Sequence, residues 1–376
     1  MQIDLFCQVI DNYGDIGVCW RLARQLAAEH GCEVRLIIDD LHAFRVIAPE
    51  IDRGLTRQSL LGVEVVAWSA ADALIPFDVV IEAFACNPPA RYVEAMAVRS
   101  PRPVWINLEY LSAEAWVDEI HGMASRHQRL PLTKYFFCPG FTEASGGVIR
   151  ERDGSPLDSL PFKGRAGVGM AFGLATAHKT PNPIPLLASP LKGEEPLHVL
   201  AFAYPYAPVY ALTQAFANAG VFTTVTLAAP ISQSSRDWQT ADPVPQTEFD
   251  ALLAQFDFLI VRGEDSFVRA QWAAKPFLWH IYPTDDGAHL IKLDAWLDRY
   301  CDALDANASA AYRAASHAFN SATSDGAQSA PYELLAQNMS ALATHALRWR
   351  DTLMLQTDLA TRLVEFAGKH KAENLG

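Results

Sequence analysis

"IDLFCQVIDNYGDIGVCW", residues 3–20, decides the fold. The stretch opens as an apolar run, breaks into a polar segment that contains Asp11, Gly14, Asp15 and Gly17, and then resumes with apolar residues at helical spacing. A buried strand that leads directly into an amphipathic helix is the first half of a βαβ unit. The sequence therefore predicts a parallel α/β sheet whose first strand ends in two carboxylates.

The same alternation of strand and helix continues through both halves of the chain, and it predicts two tandem α/β domains, each with a parallel sheet. In the first half, the predicted strands are 2–9, 33–38, 63–67, 78–83 and 103–107, and the predicted helices are 15–30 and 88–98. In the second half, the predicted strands are 198–203, 221–226, 257–261 and 277–281, and the predicted helices are 208–219, 247–255, 264–274 and 287–300.

A proline-rich interval without helical period separates the two halves, as expected of an interdomain linker. We place the N-terminal domain at 1–175, the linker at 176–197 and the C-terminal domain at 198–350. The stretch 302–325 is rich in Ala, Ser and Asn. Amphipathic helices are predicted at 332–349 and 351–370, and we expect the last segment, 351–376, to pack back on the N-terminal domain.

The charge balance excludes some partners and favours others. The 376 residues include 30 basic and 43 acidic side chains, a net charge of −13, which argues against nucleic acid and against an anionic membrane surface. A basic partner would be attracted. With 50% hydrophobic and 19% charged residues, we expect a soluble protein with a large core.

The cysteines and the N-terminus predict a cytoplasmic location. Six cysteines occur without C-x-x-C spacing, which is typical of buried free thiols in a reducing cytosol. No secretory signal pattern opens the chain, and no apolar run reaches the ~18 residues that a membrane helix needs.

Two glycines and two aspartates at the end of the first strand predict a ligand site. In doubly wound sheets, ligands bind in the crevice beyond the carboxyl ends of the strands. Gly14 and Gly17 would let a partner approach the backbone closely. Alternatively, Asp11 or Asp15 caps helix 15–30, a role that suits one acidic residue but does not explain two.

A second informative stretch is "FDFLIVRGEDSFVRAQWAAKPFLWHIYP", residues 256–283. Its buried strand ends at Arg262, and a helix then begins at Glu264. Ser266, the first backbone N–H groups of that helix and the Arg262 guanidinium would suit a diphosphate, and Glu264 would suit a sugar hydroxyl. The alternative is a helix cap with a surface ion pair.

Other familiar motifs are lacking. The glycines at 167–173 have the wrong spacing for a dinucleotide fingerprint, and no Walker A loop, G-x-S-x-G elbow or H-E-x-x-H occurs. There is no Asp-x-Asp and the 11 histidines are dispersed, so we expect no metal site. Aromatic residues near predicted strand ends of the second half could stack on a base or pack in the core: Tyr204, Tyr206, Phe249 and Tyr282.

Several longer strings resemble one known family. They are DNYGDIGVCWRLARQLA, INLEYLSAE, KYFFCPGFTEASGG and VRGEDSFVRAQWAAKPFLWHIYP, followed by His289 and Lys292. In this order and along nearly the whole chain, they resemble the elongation factor P arginine rhamnosyltransferases, the EarP family. The resemblance implies a GT-B fold, in which two facing Rossmann-like domains enclose a cleft.

It also implies an activity and its partners. We expect a metal-independent, inverting enzyme without a cofactor, which transfers L-rhamnose from dTDP-β-L-rhamnose to an arginine guanidinium of elongation factor P. The donor would be held mainly by the C-terminal domain and the acceptor by the N-terminal domain. A GT-B enzyme with a small-molecule acceptor is the alternative. A dinucleotide enzyme would need a true G-x-G-x-x-G, and a non-catalytic binding module would tolerate loss of the acidic pair.

The resemblance also implies roles for individual residues. Asp15 would be the general base, Asp11 would support the acceptor guanidinium, and Glu264 would also act in catalysis. The residues assigned to the donor side are Asn12, Tyr13, Gly14, Gly17, Tyr204, Gln246, Phe249, Arg262, Glu264, Asp265, Ser266 and Tyr282. Where the family often has a Phe six residues before Phe249, this chain has Pro243.

Overall fold

The computed structural model describes residues 1–10, 13–152, 195–321 and 329–373. Asp11, Asn12 and most of the linker predicted at 176–197 lie outside the described residues. The predicted domain boundaries fall on or beside that gap, and they stay predictions.

The first sheet has eight strands. In chain order they are β1 (Gln2–Cys7), β2 (Glu33–Ile38), β3 (Arg57–Leu60), β4 (Val63–Ala67), β5 (Val79–Ala83), β6 (Val104–Leu108), β7 (Ala124–Arg126) and β8 (Thr133–Phe137). Their spatial order is β3-β4-β2-β1-β5-β6-β8-β7. The five strands that the sequence predicts, β1, β2, β4, β5 and β6, all pair in parallel, as expected. The strands β3 and β7, which the sequence analysis did not predict, lie at the two edges and pair antiparallel to their neighbours. Each edge strand returns beside the strand next to it in the chain, and such a hairpin needs no crossover.

The second sheet has five strands, and every pairing in it is parallel. In chain order they are β9 (Leu197–Ala201), β10 (Thr223–Leu227), β11 (Gln239–Thr240), β12 (Phe258–Arg262) and β13 (Phe277–His280). The spatial order is β11-β10-β9-β12-β13, the arrangement of a Rossmann half. Strand β12 is apolar because both of its faces are covered by helices, as parallel strands require.

Helices cover both sheets. In chain order they are α1 (Gly14–His30), α2 (Leu41–Ile47), α3 (Ala90–Val98), α4 (Trp116–Ile120), α5 (Val209–Asn218), α6 (Phe249–Leu253), α7 (Asp265–Ala273), α8 (Ala288–Cys301), α9 (Ala306–Ser321), α10 (Ser329–Gln337), α11 (Met339–Met354) and α12 (Leu359–Glu373). We call the first sheet with its helices the N-terminal domain, and the second sheet with helices α5 to α11 the C-terminal domain.

Helix α1 is buried on more than one face. Its apolar residues, such as Ile16 and Leu22, pack on the first sheet. Its polar residue Arg21 is also buried and pairs with Asp265 of the C-terminal domain, and Gln25 is buried where it donates to the Arg150 carbonyl and to Asp358. The helix ends at Gly31, whose φ of 60° lies in the left-handed region that glycine adopts at little cost. Helix α1 therefore connects the core of one domain with the surface of the other.

The last helix, α12, packs on the N-terminal domain although it comes last in the chain. The His370 ring stacks on Tyr135 of β8 at 4.1 Å between centroids, and Phe366 packs edge-on against Phe137 at 5.6 Å. The Lys371 ammonium lies 2.6 Å from Asp78, which precedes β5. The closing segment of the chain is thus an integral part of the N-terminal domain.

The C-terminal helices differ from their predicted bounds. The Ala-rich stretch 302–325 contains the regular helix α9, since alanine is the best helix former even without a strong apolar pattern. The helix predicted at 332–349 is divided at Asn338, and α11 continues to Met354. The helix predicted at 351–370 accordingly begins only at Leu359.

The order of strands in both sheets points to the same place for a ligand. In the N-terminal domain the direction of strand order reverses between β1 and β5, and in the C-terminal domain it reverses between β9 and β12. Ligands of open α/β sheets bind outside the carboxyl ends of the strands at this switch point. The segments that follow β1, β5, β9 and β12 are therefore the first place to look for a site.

Candidate active site

A cleft of about 280 Å³ lies between the two domains at these switch points, and we call it the interdomain cleft. Helix α2 contributes Val46 and Ile47 to its wall, and the C-terminal domain contributes mostly apolar residues together with Arg262. The predicted site residues that line it are Tyr13, Gly14, Gly17, Tyr204, Gln246, Phe249, Arg262, Glu264, Asp265 and Ser266. Such a pocket, apolar with a few charged groups, is the usual form of a small-molecule site.

Arg262, the last residue of β12, places a cation in the interdomain cleft. Its guanidinium lies over the rings of Phe202 and Tyr204, at 4.7 and 5.0 Å from their centroids. Within the described part of the chain, no carboxylate forms an ion pair with it. The guanidinium therefore lies in the interdomain cleft without a competing carboxylate among these residues, and its contact with an anionic ligand stays a prediction.

The Ser266 hydroxyl is bonded within its own turn. It donates to the backbone carbonyl of Arg262 and accepts from the Arg262 N–H at 3.2 Å. The hydroxyl thus closes the turn between β12 and α7, and the predicted contact of Ser266 with a diphosphate stays a prediction. Ser266 shapes the N-terminal end of α7, where the unpaired N–H groups of the first turn still favour an anion.

Glu264 joins the two domains at the bottom of the interdomain cleft. Its carboxylate accepts a hydrogen bond from the backbone N–H of Leu111 at 2.9 Å, across the domain boundary. Burial raises the pKa of Glu264 to about 7; the nearby Lys292 cation opposes the shift, and Asp15 and Asp265 add to it. Burial in turn lowers the pKa of Lys292. A carboxyl group that titrates near neutrality in a cleft is a candidate for proton transfer.

Asp15 lies beside the interdomain cleft and does not line it. Its side chain is only 1% exposed; one oxygen accepts from the backbone N–H of Ile10 at 2.8 Å and the other from the Tyr110 hydroxyl at 2.9 Å. Asp15 lies within the first turn of α1, yet no side chain caps this helix within the described residues. The capping alternative is therefore not supported for Asp15.

The ring of Tyr110, whose hydroxyl contacts Asp15, stacks on a second aromatic ring. Tyr110, which follows β6, stacks on Phe84 with centroids 4.0 Å apart and planes 7° apart. The Lys292 ammonium lies 5.7 Å from the Tyr110 centroid. Ile10 is 73% and Tyr110 is 37% exposed, so the surroundings of Asp15 reach the surface on the side of the N-terminal domain.

Asp265 belongs to a buried ion-pair network and also borders the interdomain cleft. It pairs with Arg21 at 3.0 Å and with Arg269 at 3.1 Å, and it accepts from the Gln246 amide at 2.9 Å. Burial would raise the pKa of Asp265, but the two guanidinium groups outweigh it and lower the pKa to about 2. Asp265 therefore holds α1 and Gln246 beside the cleft, and its predicted contact with the donor stays a prediction.

Gly17 allows a close approach, but the partner is the other domain. The Gln246 amide donates to the carbonyl oxygen of Gly17 at 2.7 Å and accepts from Arg24 at 3.3 Å. A Cβ on Gly17 would lie 3.3 Å from the Gln246 nitrogen and 3.4 Å from the Cβ of Asp265. The glycine and Gln246 thus hold α1 against the C-terminal domain, in addition to bordering the interdomain cleft.

The acidic, histidine and cysteine side chains of the described residues are dispersed. No group of three or more His, Cys, Asp or Glu side chains suited to a metal ion occurs within 1–10, 13–152, 195–321 and 329–373. All six cysteines are buried free thiols, as predicted. None of the helices in the described ranges has the length and apolar character needed to cross a bilayer.

Comparisons with known proteins identify the family. The profile of the elongation factor P (EF-P) rhamnosyltransferase EarP family matches residues 3–368. The chain belongs to this family. A protein-arginine rhamnosyltransferase of Pseudomonas putida (strain KT2440) is 42% identical, with 96% of this chain and 97% of that protein covered. One of Pseudomonas aeruginosa (strain PAO1) is 40% identical, with 96% and 98% covered.

A solved structure agrees with the sequence comparison. It comes from work on EarP-mediated arginine glycosylation of translation elongation factor EF-P, and it is 29% identical to this chain, with a TM-score of 0.57. The similarity covers 98% of this chain and 99% of that one. The two facing Rossmann-like domains described above are thus those of a GT-B glycosyltransferase of the EarP family.

The aromatic residues expected from the EarP resemblance are only partly brought together. Tyr204 and Phe249 border the interdomain cleft, and so does Pro243. Tyr282 is 53% exposed and does not line the cleft; it packs edge-on against Tyr204 at 5.7 Å. Tyr206, 40% exposed, stacks parallel to Tyr204. Tyr282 therefore contacts a residue of the cleft wall, and its predicted contact with the donor stays a prediction.

The sequence analysis missed several residues of this EarP site. Tyr110 was quoted in a family string without a role, and Val46, Ile47 and Phe84 were not singled out. A signal existed for Tyr110 and Phe84, because each follows a parallel strand, and the carboxyl ends of such strands meet at one edge of the sheet. For Val46 and Ile47 there was none, since helix α2 itself was not predicted.

Proposed function

We propose that this chain is a protein-arginine rhamnosyltransferase that transfers L-rhamnose from dTDP-β-L-rhamnose to one arginine of elongation factor P. Family membership and two relatives named protein-arginine rhamnosyltransferase support the reaction class. The donor and the acceptor protein are the finer part of the proposal. They rest on the family resemblance and on the chemistry of the interdomain cleft.

One observation carries the assignment of the site: Glu264 lines the interdomain cleft and also binds the backbone of Leu111, next to Tyr110 and hence to Asp15. The cleft with Arg262 suits a nucleoside diphosphate sugar. The carboxylate of Asp15 suits a guanidinium that arrives from the N-terminal side. Glu264 is the junction at which donor and acceptor would meet.

The high pKa of the acceptor arginine determines when the base can remove its proton. An arginine side chain loses its proton only above pH ~12, so Asp15 cannot deprotonate it in advance. In our proposal, Asp15 orients one guanidinium nitrogen toward the anomeric carbon. As the new C–N bond forms and the positive charge on that nitrogen grows, its proton passes to the Asp15 carboxylate.

The leaving group, dTDP, carries negative charge that the C-terminal side of the interdomain cleft must stabilise. The bond between the anomeric carbon and the β-phosphate oxygen breaks, and its electron pair leaves with dTDP. Attack opposite to this bond inverts the β-linkage to α. The Arg262 guanidinium and the N-terminal end of α7 would stabilise the negative charge on dTDP, and our proposal needs no metal ion.

Localisation follows from the partner. Elongation factor P acts with ribosomes, so the proposed place of action is the cytoplasm. The six buried free cysteines are consistent with a reducing compartment. The net charge of −13 favours the approach of a loop that presents arginine.

The test is the intact mass of elongation factor P after incubation with this protein and dTDP-β-L-rhamnose. An increase by one deoxyhexose, located on an arginine by fragmentation, supports the proposal. Elongation factor P with that arginine replaced by lysine is the matched acceptor control, and it should keep its mass. An unmodified wild-type acceptor, together with rhamnose transfer to a small molecule, would refute it in favour of the alternative acceptor class.

A further inference from the structure

Tyr110 contacts the proposed base, Asp15, but has no role in the reaction described above. Its hydroxyl donates a 2.9 Å hydrogen bond to Asp15 while the Ile10 N–H donates to the other Asp15 oxygen. Two donors on two different oxygens fix both the position and the plane of a carboxylate. Rotation of Asp15 about its side-chain bonds would break one of these bonds, each of which is strengthened by the negative charge of the acceptor.

The Tyr110 ring is itself held from one side. Phe84, on which it stacks at 4.0 Å, has a φ of 57°, in the left-handed region that is uncommon for an aromatic residue. The next residue, Ala85, also has a positive φ, of 53°. Both backbone N–H groups are bonded to β6: Phe84 to the Leu108 carbonyl at 2.7 Å and Ala85 to the Asn107 side chain at 3.1 Å.

Such backbone conformations persist where the surroundings determine them strongly, and they are frequent at functional sites. Here the strained turn places the Phe84 ring against Tyr110. The turn thus positions the phenol that contacts Asp15.

We propose that Tyr110 is a positioning residue for the transfer reaction: its hydroxyl holds the Asp15 carboxylate in the orientation in which it receives the guanidinium proton. This inference rests on the proposed function, and in particular on Asp15 as the base. It assigns Tyr110 no contact with donor or acceptor. The Phe84 ring contributes indirectly, because it holds the Tyr110 ring in place.

The electrostatic surroundings suit a permanent hydrogen-bond donor. Burial, with the charge of Asp15, raises the pKa of Tyr110, so the phenol stays protonated wherever the enzyme is folded. Among the described residues, Cys19 and Glu264 interact electrostatically with Asp15. Burial raises the pKa of the Cys19 thiol as well, and Cys19 therefore remains neutral.

The test is Tyr110→Phe, which removes the hydroxyl and keeps the ring on Phe84. We expect kcat for rhamnosylation of elongation factor P to fall about tenfold to a hundredfold, the range for a lost hydrogen bond to a charged group. The Kd for dTDP, measured by calorimetry, should not change. Because the inference assigns Tyr110 no contact with the acceptor, the KM for elongation factor P should stay close to that of the wild type while kcat falls.

Tyr92→Phe is the matched control. Tyr92 is likewise a phenol that donates to a buried carboxylate, that of Asp4, but it is itself fully buried, and neither residue lines the interdomain cleft. We expect Tyr92→Phe to lower the melting temperature while kcat and the KM for elongation factor P stay as in the wild type. A merely structural role for Tyr110 would make both variants behave alike.

Three results would overturn the inference. They are an unchanged kcat in Tyr110→Phe, a loss of kcat/KM that lies in KM for elongation factor P and not in kcat, or a loss of activity that is matched by a loss of dTDP affinity. If the wild-type protein does not rhamnosylate elongation factor P, the proposed function fails and this inference fails with it. An active wild type with an equally active Tyr110→Phe overturns the inference alone.

Discussion

The guanidinium of Arg21 on α1 pairs with the carboxylate of Asp265 on α7 at 3.0 Å, and this ion pair joins the two domains next to the interdomain cleft. Arg21 also contacts Glu151 at 2.6 Å, and Asp265 in turn pairs with Arg269. Arg21 is only 2% exposed. Charges this deeply buried are tolerated because each one has opposite charges around it.

The first prediction concerns this network. Arg21→Met should lower the apparent free energy of unfolding by about 3–5 kcal/mol, because the carboxylates of Glu151 and Asp265 then lose a buried cation. Urea unfolding, followed by fluorescence, measures the change. Arg57→Met is the control, since Arg57 is 55% exposed in its pair with Glu64, and such a change should stay within about 0.5 kcal/mol. Equal unfolding midpoints for the two variants would contradict the role given to the network.

The network also contains a contact that the sequence alone could not predict, that between Arg21 and Asp265. Glu264-Asp265-Ser266 followed by a helix is a pattern that predicts an anion site, and the interdomain cleft is indeed at this place. The pattern cannot show that Arg21, 244 residues away along the chain, occupies the Asp265 carboxylate. A long-range partner of this kind is set by how the domains pack, which no local pattern contains.

Helices and strands could be predicted where the apolar residues recur with a clear helical or strand period. The strands predicted at 33–38 and 63–67 coincide with β2 and β4, and helix α1 begins one residue before its predicted start. Strand β8 was missed although its residues, Thr133–Phe137, were part of a family string, because it alternates weakly and is only half-buried. The edge strand β7 has three exposed residues and no apolar pattern to detect.

The second prediction concerns the cation of the cleft. Arg262→Ala should raise the Kd for dTDP about tenfold to a hundredfold, because a charge-assisted contact to a phosphate is lost without a substitute. Isothermal calorimetry at constant ionic strength measures this Kd. Arg348→Ala, an exposed arginine on α11 that does not border the interdomain cleft, should leave the Kd unchanged. An Arg262→Ala variant with wild-type affinity would rule out the assignment.

The third prediction separates catalysis from donor binding. Asp15→Asn keeps the size of the side chain but removes the base, so turnover should fall by about 10²–10⁴-fold, the range for general base catalysis. The Kd for dTDP should hardly move, because Asp15 does not line the interdomain cleft. Intact-mass kinetics of elongation factor P and calorimetry give the two readouts. Asp302→Asn, an exposed change at the end of α8, is the control. Retained turnover with weakened dTDP binding would reverse the two roles.

The fourth prediction is a pH dependence of stability that comes from Glu264. Its pKa in the folded protein, about 7, lies above the ordinary carboxyl value of 4.5, chiefly because burial disfavours the charged form. Between these two values the folded state keeps a proton that the unfolded chain has released. The contribution of Glu264 to stability is therefore complete below about pH 4.5 and is lost as the pH rises to about 7 and above.

Glu264→Gln isolates this effect, since an amide can still accept a hydrogen bond from the Leu111 N–H but does not titrate. We expect the melting temperature of the wild type, relative to that of Glu264→Gln, to decline as the pH is raised from 4.5 to 7.5. Glu248→Gln, an exposed glutamate near the interdomain cleft, should follow the wild type. Because Glu264 touches both domains, a parallel pH course for wild type and Glu264→Gln would mean that this carboxyl group is not buried between them when the protein is in solution.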